Sequence, residues 1–530
     1  MLRFDKYRNN CRLGEIMNRH PLLLLTVVFV SGMTSLAIEL TASRFIGNYF
    51  GSALPVWAAI IGMVLVYLTI GYMLGGRLAD RNPNERYLYK LTIWAGFFTG
   101  LIPFVARPVL QLATVGIRTV SANIFVGSLF GVILLLSLPM TLLGCVSPFA
   151  IRLQTRSVES TGNTAGAIYA LSTLGSILGT FLPVLFLIPV IGTRNTFLTF
   201  SFALMVTSLT GLLVLSGRQA WRYAALIIIV AALTVFLPAG VVRAAEAGQL
   251  IYETESSYNY IQVVQVGDTR YLILNEGNAV HSIYNPNQLL TQGEWDYFAV
   301  APFFNKNFDP SQLKRVAVIG LAAGTVPRQL TAIYGPIVID GVEIDPTIAE
   351  VGRQFFDMTE PNLNVILQDG RYFMRTTTQM YDLVGIDAYH QPYIPAQLTT
   401  VEFFQEVYDH LNDRGVILLN AGRTATDFRL LDALATTMKQ VFPSVYTIDI
   451  PYQAGWTVVN TLIVGTKQPT TVANFAENAA RMTNPLLRQI ADASIVHEYT
   501  TTGGLVFTDD RAPVEYVTDQ MILGYALSAK

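Results

Sequence analysis

The first 242 residues are dominated by apolar runs, which constrain the fold before any motif does. A helix needs about 20 consecutive apolar residues to cross a bilayer. Seven stretches reach that length: 21–43, 54–76, 89–110, 121–146, 165–191, 195–216 and 221–242. They predict a multi-pass α-helical membrane bundle over 21–243, behind a basic tail over 1–20. The first run is not a cleaved signal peptide, because no small-residue cleavage site interrupts it before Glu39. Small residues in "GYMLGGRLAD" and "LSTLGSILGT" suit close helix packing. Glu39, five residues before Arg44, reads as half of an interhelical pair near the interface. The alternative is an intramembrane acid that marks a path.

Charge divides the chain in two. Residues 1–249 carry 18 Lys/Arg against 7 Asp/Glu, and residues 250–530 carry 17 against 30. An acidic second half excludes nucleic acid as the expected partner and suits a small cationic substrate. The lipid bilayer is the other expected partner, with a homodimer left open. Thirteen cations flank the spans on one side (Arg3 to Arg19, Arg77 to Lys90, Arg152, Arg156, Arg218 and Arg222) and five on the other. That bias places the amino end in the cytoplasm. Seven crossings would put the second half outside, whereas the supply of a nucleotide cofactor argues for the cytoplasm. Cys11 and Cys145 both lie in the first half, so the second half has no disulfide framework or cysteine metal site. No metal is expected.

Beyond residue 249 the periodicity changes. "YETESSYNYIQVVQVGDTRYLILNEG" alternates around a Gly-Asp turn, which predicts a small antiparallel β-domain over 250–305. From 306 to 530 strands alternate with helices: "VAVIG", "IVIDGVEI", "NVILQDG", "YDLVGIDAY" and "GVILLNAG" read as buried parallel strands. The expected fold is an α/β doubly wound sheet whose ligand sits at the strands' carboxyl ends. Four such ends are polar. Gly320 closes the first, and Gly324 opens a helix whose N–H groups point at a ligand. Glu343 ends the second, placed to accept ribose hydroxyls. Asp369 ends the third, where its carboxylate or the adjacent Gly370 N–H reads an adenine edge. Asp387 ends the fourth, facing the reaction centre. Their register points to an adenosine-type ligand. The loop lacks a full G-x-G-x-x-G, which favours a single nucleoside over a dinucleotide.

The order "VAVIGLAAGT…VEIDP…QDGRYF…YDLVGIDAY…LTTVEFFQEVYDHLNDRGVILLN" resembles the spermidine synthase (polyamine aminopropyltransferase) family, over roughly 250–450. "LNEGNAVHSIYNP", "WDYFAVAPFF" and "TDDRAPVEY" extend the resemblance to membrane-fused members with an S-adenosylmethionine-dependent methyltransferase-like domain. The resemblance implies Glu343 on the ribose, Asp369 on the adenine and Asp387 as acid/base beside the attacking amine, with Tyr389 or His390 nearby. Asn259 and His281 fall where the family places donor-contacting glutamines. The family's tyrosine–histidine–glutamate stretch appears as Glu294-Trp295-Asp296, so Glu294 and Asp296 are the expected acceptor-binding acids.

Two departures carry consequences. Ala323 replaces an aspartate that contacts the amino end of decarboxylated S-adenosylmethionine. A lost acid there would remove like-charge repulsion against the carboxylate of intact S-adenosylmethionine; the other reading is tighter helix–strand packing by Ala322 and Ala323. His390 replaces the family's second acid. The expected activity is membrane-anchored aminopropyl transfer from S-adenosylmethionine or its decarboxylated form to a polyamine or related amine, releasing methylthioadenosine. The alternatives are intramolecular cleavage of S-adenosylmethionine, methyl transfer, and a non-catalytic nucleoside-binding transporter or sensor.

Overall fold

The computed structural model describes residues 21–50, 54–120, 124–155, 157–237, 245, 247–275, 279–390, 392–450, 459–501 and 503–528. The basic tail 1–20, with Cys11, lies outside the described residues. The chain divides into two compact units, Met1–Arg243 and Ala244–Lys530.

Long apolar sequences make the first unit helical: Pro21–Phe50, Leu54–Arg81, Glu85–Val120, Ile124–Gly144, Val146–Gln154, Thr161–Leu182, Ile188–Ser216 and Ala224–Phe236. Five stretches are long and apolar enough to cross a membrane by length and composition, the last being the run Thr161–Phe236. Two of the seven expected spans, 165–191 and 195–216, fall inside that run, and a third, 221–242, begins in it. It is broken by a π turn at Pro183–Leu187, by Gly192 at φ +76° and by a 3-10 turn over Gly217–Tyr223. Its last helix has 13 residues, which at 1.5 Å each is about 20 Å, short of a roughly 30 Å hydrocarbon core. Hydroxyls join the helices: Ser208 donates to Thr92 Oγ1 at 2.7 Å, Ser201 to the Gly96 carbonyl at 2.7 Å and Ser176 to the Gly32 carbonyl at 3.1 Å. Glu39 is half-buried on the first helix and has no side-chain hydrogen bond or ion pair among the described residues. The interhelical pair expected for it is therefore not formed there.

The second unit begins with four antiparallel strands, β1 (Gln249–Glu255), β2 (Tyr260–Val266), β3 (Thr269–Leu274) and β4 (Val280–Tyr284), paired in sequence order. Eight more follow: β5 (Arg315–Ile319), β6 (Val338–Glu343), β7 (Leu363–Leu367), β8 (Tyr381–Ile386), β9 (Leu411–Arg423), β10 (Ser444–Asp449), β11 (Val459–Thr466) and β12 (Ile495–Glu498). They form one sheet in the order β12-β10-β11-β9-β8-β5-β6-β7. The strands from β5 to β9 run parallel, whereas β10, β11 and β12 join antiparallel, so the sheet is mixed.

Helices between successive strands cover the faces, because parallel strands buried on both sides need crossovers. The chain leaves β5 towards β6 and β7, then returns to place β8 on the other flank of β5. Such a reversal is where an open α/β sheet binds its ligand, here beyond the carboxyl ends of β5 and β8. The 3-10 segment Glu294–Phe304 was grouped with the small sheet by sequence. It instead packs into the core beneath the large one, with Phe298 and Phe304 against Leu383, Leu418 and Tyr446.

Candidate active site

Gly320 follows β5 at φ +87°, and a Cβ there would stand 2.4 Å from the Asp387 carbonyl oxygen. A side chain would therefore push the β8 end away, so glycine is required by both conformation and space. The Asp387 N–H donates to the Ile319 carbonyl at 2.8 Å and locks the two strand ends together. Ala322 takes a left-handed φ of +49°, which turns its N–H onto Glu343 Oε2 at 2.9 Å. Glu343 Oε1 accepts from the Asp345 N–H at 3.0 Å. The carboxylate, which the Ile344 N–H also approaches, thus keeps acceptor capacity for a ligand hydroxyl. Burial raises the Glu343 pKa to about 7.

Gly324, at φ +92°, precedes the helix Thr325–Tyr334. Asp369 caps the helix Gly370–Thr376, its Oδ1 accepting the Arg371 and Tyr372 N–H groups at 3.0 Å each. Gly370 is the first residue of that helix and lies close against Ile319 of β5.

Asp387 lies beyond β8 among groups from three other segments. Its Oδ1 accepts from Asn420 Nδ2 of β9 at 2.8 Å, and the Trp295 side chain donates a second hydrogen bond. Glu294, beside Trp295 in the chain, is bonded by Asn460 of β11. Leu462 pairs with Asn420 and Asn460 with Gly422, so the two asparagines are diagonal neighbours on one face of the sheet. They bring the two acids into one electrostatic field. Burial, and then the charge of Asp387, raise Glu294 above the ordinary carboxylate range; burial likewise raises Asp387. One buried proton is readily held between such a pair.

Several expected site residues have other occupations. Asp296 accepts from the Thr291 N–H and hydroxyl, the Gln292 N–H and Gln329 Nε2, at 2.6–2.9 Å. These four donors commit its carboxylate to a turn, which removes it from the acceptor site. The Tyr389 hydroxyl donates to the Asn420 carbonyl and accepts from the Gly422 N–H, and burial raises its pKa. It is a brace, not a proton acceptor. The His390 side chain is exposed. Burial, then the charge of nearby His390, lowers His281 to about 4, so it is neutral at physiological pH.

Asn259 donates to Asp345 Oδ2 at 2.9 Å and accepts from Asn275 at 2.8 Å, which ties the small sheet to the end of β6 instead of leaving it free for a donor. Ala323 is 1 % exposed among Ile261, Leu272, Ile348, Val351 and Phe356, and its N–H donates to Ser282. This packing accounts for alanine at 323 without reference to a donor carboxylate.

Sequence reasoning missed Trp295, Asn420 and Asn460. Asn420 gave the clearest signal, an amide inside the apolar strand "GVILLNAG". Its Oδ1 is buried without a partner among the described residues.

Residues 302–473 match the spermine/spermidine synthase domain family. This part of the chain is similar to spermidine synthase-type domains. A probable polyamine aminopropyl transferase of Bifidobacterium longum is 29% identical over 297 residues, covering 52% of this chain and 64% of that protein. A polyamine aminopropyltransferase of Vibrio vulnificus is 30% identical over 187 residues, covering 34% and 61%. The chain spans less than two thirds of the length of these two relatives. Among solved structures, a probable spermidine synthase from Corynebacterium glutamicum aligns at a TM-score of 0.39 and 21% identity, over 48% of this chain and 99% of that one. A spermidine synthase in complex with the transition-state analogue AdoDATO aligns at 0.39 and 18% identity, over 46% and 84%. The matched region contains Glu343, Asp369, Asp387, Asn420 and Asn460, while Glu294 and Trp295 lie just ahead of it.

Proposed function

We propose that the chain is a membrane-anchored aminopropyltransferase that uses decarboxylated S-adenosylmethionine and a small polyamine. The observation that carries this reading is the topological switch beside β5, where Glu343 of β6 and Asp387 beyond β8 stand on either side of the Gly320 turn. Glu343 holds the ribose hydroxyls with its remaining lone pairs, and Asp369 or the Gly370 N–H faces the base. The amine nitrogen attacks the aminopropyl carbon bound to the sulfonium. A C–N bond forms, the C–S bond breaks with its electron pair going to sulfur, and methylthioadenosine leaves. The ammonium so formed gives a proton to Asp387. Asn420 and Trp295 orient that carboxylate, and Glu294 adds negative charge for the cationic acceptor. Most of the rate comes from alignment of nitrogen and carbon. The long apolar helices of the first unit supply the anchor.

The test is mass spectrometry of products made by the full chain in detergent. The donor is decarboxylated or intact S-adenosylmethionine, each with and without 1,4-diaminobutane. Methylthioadenosine and an aminopropylated diamine are expected only from the decarboxylated donor with the amine present. Methylthioadenosine from the intact donor alone would replace this reading with intramolecular cleavage, and adenosylhomocysteine would replace it with methyl transfer.

A further inference from the structure

The segment "VFTDDRAPVEYVTDQM", residues 506–521, lies beyond the matched domain, yet it touches residues that follow β7 and β8. Phe507, Val514, Val517 and Met521 are buried in the core with the helix Arg429–Met438, so the segment is built into the unit. Thr508 and Arg511 exchange backbone hydrogen bonds at 3.0 and 2.9 Å, and the tight turn between them presents Asp509. Asp509 accepts both ends of the Arg371 guanidinium, at 2.6 and 2.8 Å, and the Thr400 hydroxyl at 2.7 Å. Arg371 is the second residue of the helix capped by Asp369. It also bonds Glu406 at 3.0 and 3.2 Å, so its charge stays paired if Asp509 is removed. Ten residues after Asp509, Asp519 Oδ1 accepts from the buried Tyr393 hydroxyl at 2.7 Å. Tyr393 exchanges backbone bonds with His390 at 2.8 and 3.1 Å, closing the stretch that carries Asp387.

We infer that residues 506–521 brace the reaction site, with Asp509 and Asp519 as positioning residues. Asp509 holds Asp369–Gly370 through Arg371, and Asp519 holds Asp387–His390 through Tyr393. The two contacts lead to opposite jobs in the reaction. A bidentate guanidinium–carboxylate pair fixes orientation as well as distance, so the Asp509 contact sets where the helix cap stands against the donor. The Asp519 contact sets where the proton acceptor stands against the attacking amine, and small misplacement there costs rate.

The inference rests on the proposed aminopropyl transfer, and the experiment separates the two. In the full-length chain, Asp509→Ala is expected to raise the KM for decarboxylated S-adenosylmethionine about 3- to 30-fold with kcat nearly unchanged. Asp519→Ala is expected to lower kcat by a similar factor with the donor KM held. Asp519→Asn keeps an accepting oxygen for the Tyr393 hydroxyl and should restore the rate. Independently of turnover, amide exchange should quicken at 370–376 in Asp509→Ala and at 387–390 in Asp519→Ala. Equal kcat losses at unchanged KM would mean only fewer folded molecules and would overturn the brace, as would unaltered exchange at both stretches. If the wild-type chain releases no methylthioadenosine, the functional reading falls, and the exchange result alone decides the brace.

Discussion

Removing the Asp387 carboxylate separates chemistry from binding. Asp387→Asn keeps the size of the group but not its capacity to take a proton, so turnover is expected to fall at least about 100-fold. Calorimetry with methylthioadenosine should show little change in affinity; unchanged turnover would remove Asp387 from the mechanism. Glu294 offers a sharper test. Burial holds Asp387 above the ordinary carboxylate range, and a second buried acid lies in its field. A general base works only when ionised, so activity should fall as pH drops through the pair's titration. The titratable groups in that field are Asp387, Glu294, Tyr389 and, more weakly, Asp296. Burial and the charge of Asp387 raise Glu294, so Glu294 keeps its proton while Asp387 ionises. Glu294→Gln should therefore leave the acid limb of kcat/KM within about half a unit of its place; a downward move of about a unit or more would show that Glu294 is charged while Asp387 titrates. The place of Asp387 was legible because strand ends are punctuated locally. The partners of Asp387 and Glu294 were not, since Asn420 and Asn460 come together only through long-range strand pairing.

The 3-10 segment Glu294–Phe304 shows the same division among elements. Its sequence "EWDYFAVAPFF" offers neither the period of a strand nor that of an α-helix, and its aromatic residues say only that it is buried. The structure lays it beneath the large sheet, where the Phe298 ring occupies the space left by Gly385 in β8. A Cβ at 385 would meet Phe298 Cε1 at 2.4 Å, and Phe298 is fully buried, so the ring cannot swing clear. Gly385→Ala should cost about 1–3 kcal/mol through overpacking, read as a lower midpoint in chemical unfolding. Phe298→Leu in the same chain should recover part of that loss, because the two changes share one contact. Additive effects would mean that the segment and β8 are not packed in this way. The contact also bears on the site, since Glu294 begins the segment and Asp387 follows β8. A destabilised Gly385→Ala chain is therefore expected to lose rate as well as stability. The parallel strands β5 to β8, of five or six residues each, were readable as short apolar runs. The antiparallel β10, β11 and β12 were not placed, because their order depends on contacts that no local pattern encodes.

For the molecule as a whole, the proposed membrane anchoring implies a side of the bilayer for the proposed transfer. Seven crossings would separate the basic amino end from the acidic second unit, and six would keep them together. The difference rests on Ala224–Phe236, preceded by Arg218 and Arg222 in a 3-10 turn. Thirteen helical residues reach about 20 Å, against the roughly 30 Å of hydrocarbon that a crossing needs. Six crossings would also leave the second unit on the cytoplasmic side, where the proposed nucleoside donor is supplied. We therefore expect the amino end and the second unit on the same, cytoplasmic, side. Cysteine placement makes this measurable: Cys145 is buried, Cys11 lies in the basic tail, and the second unit has none. In intact cells a membrane-impermeant maleimide should label neither Cys11 nor an A493C variant at the exposed end of the helix Pro485–Ala493. After permeabilisation it should label both. Labelling of A493C alone in intact cells would establish an odd number of crossings and put the second unit, with its donor site, on the outer face.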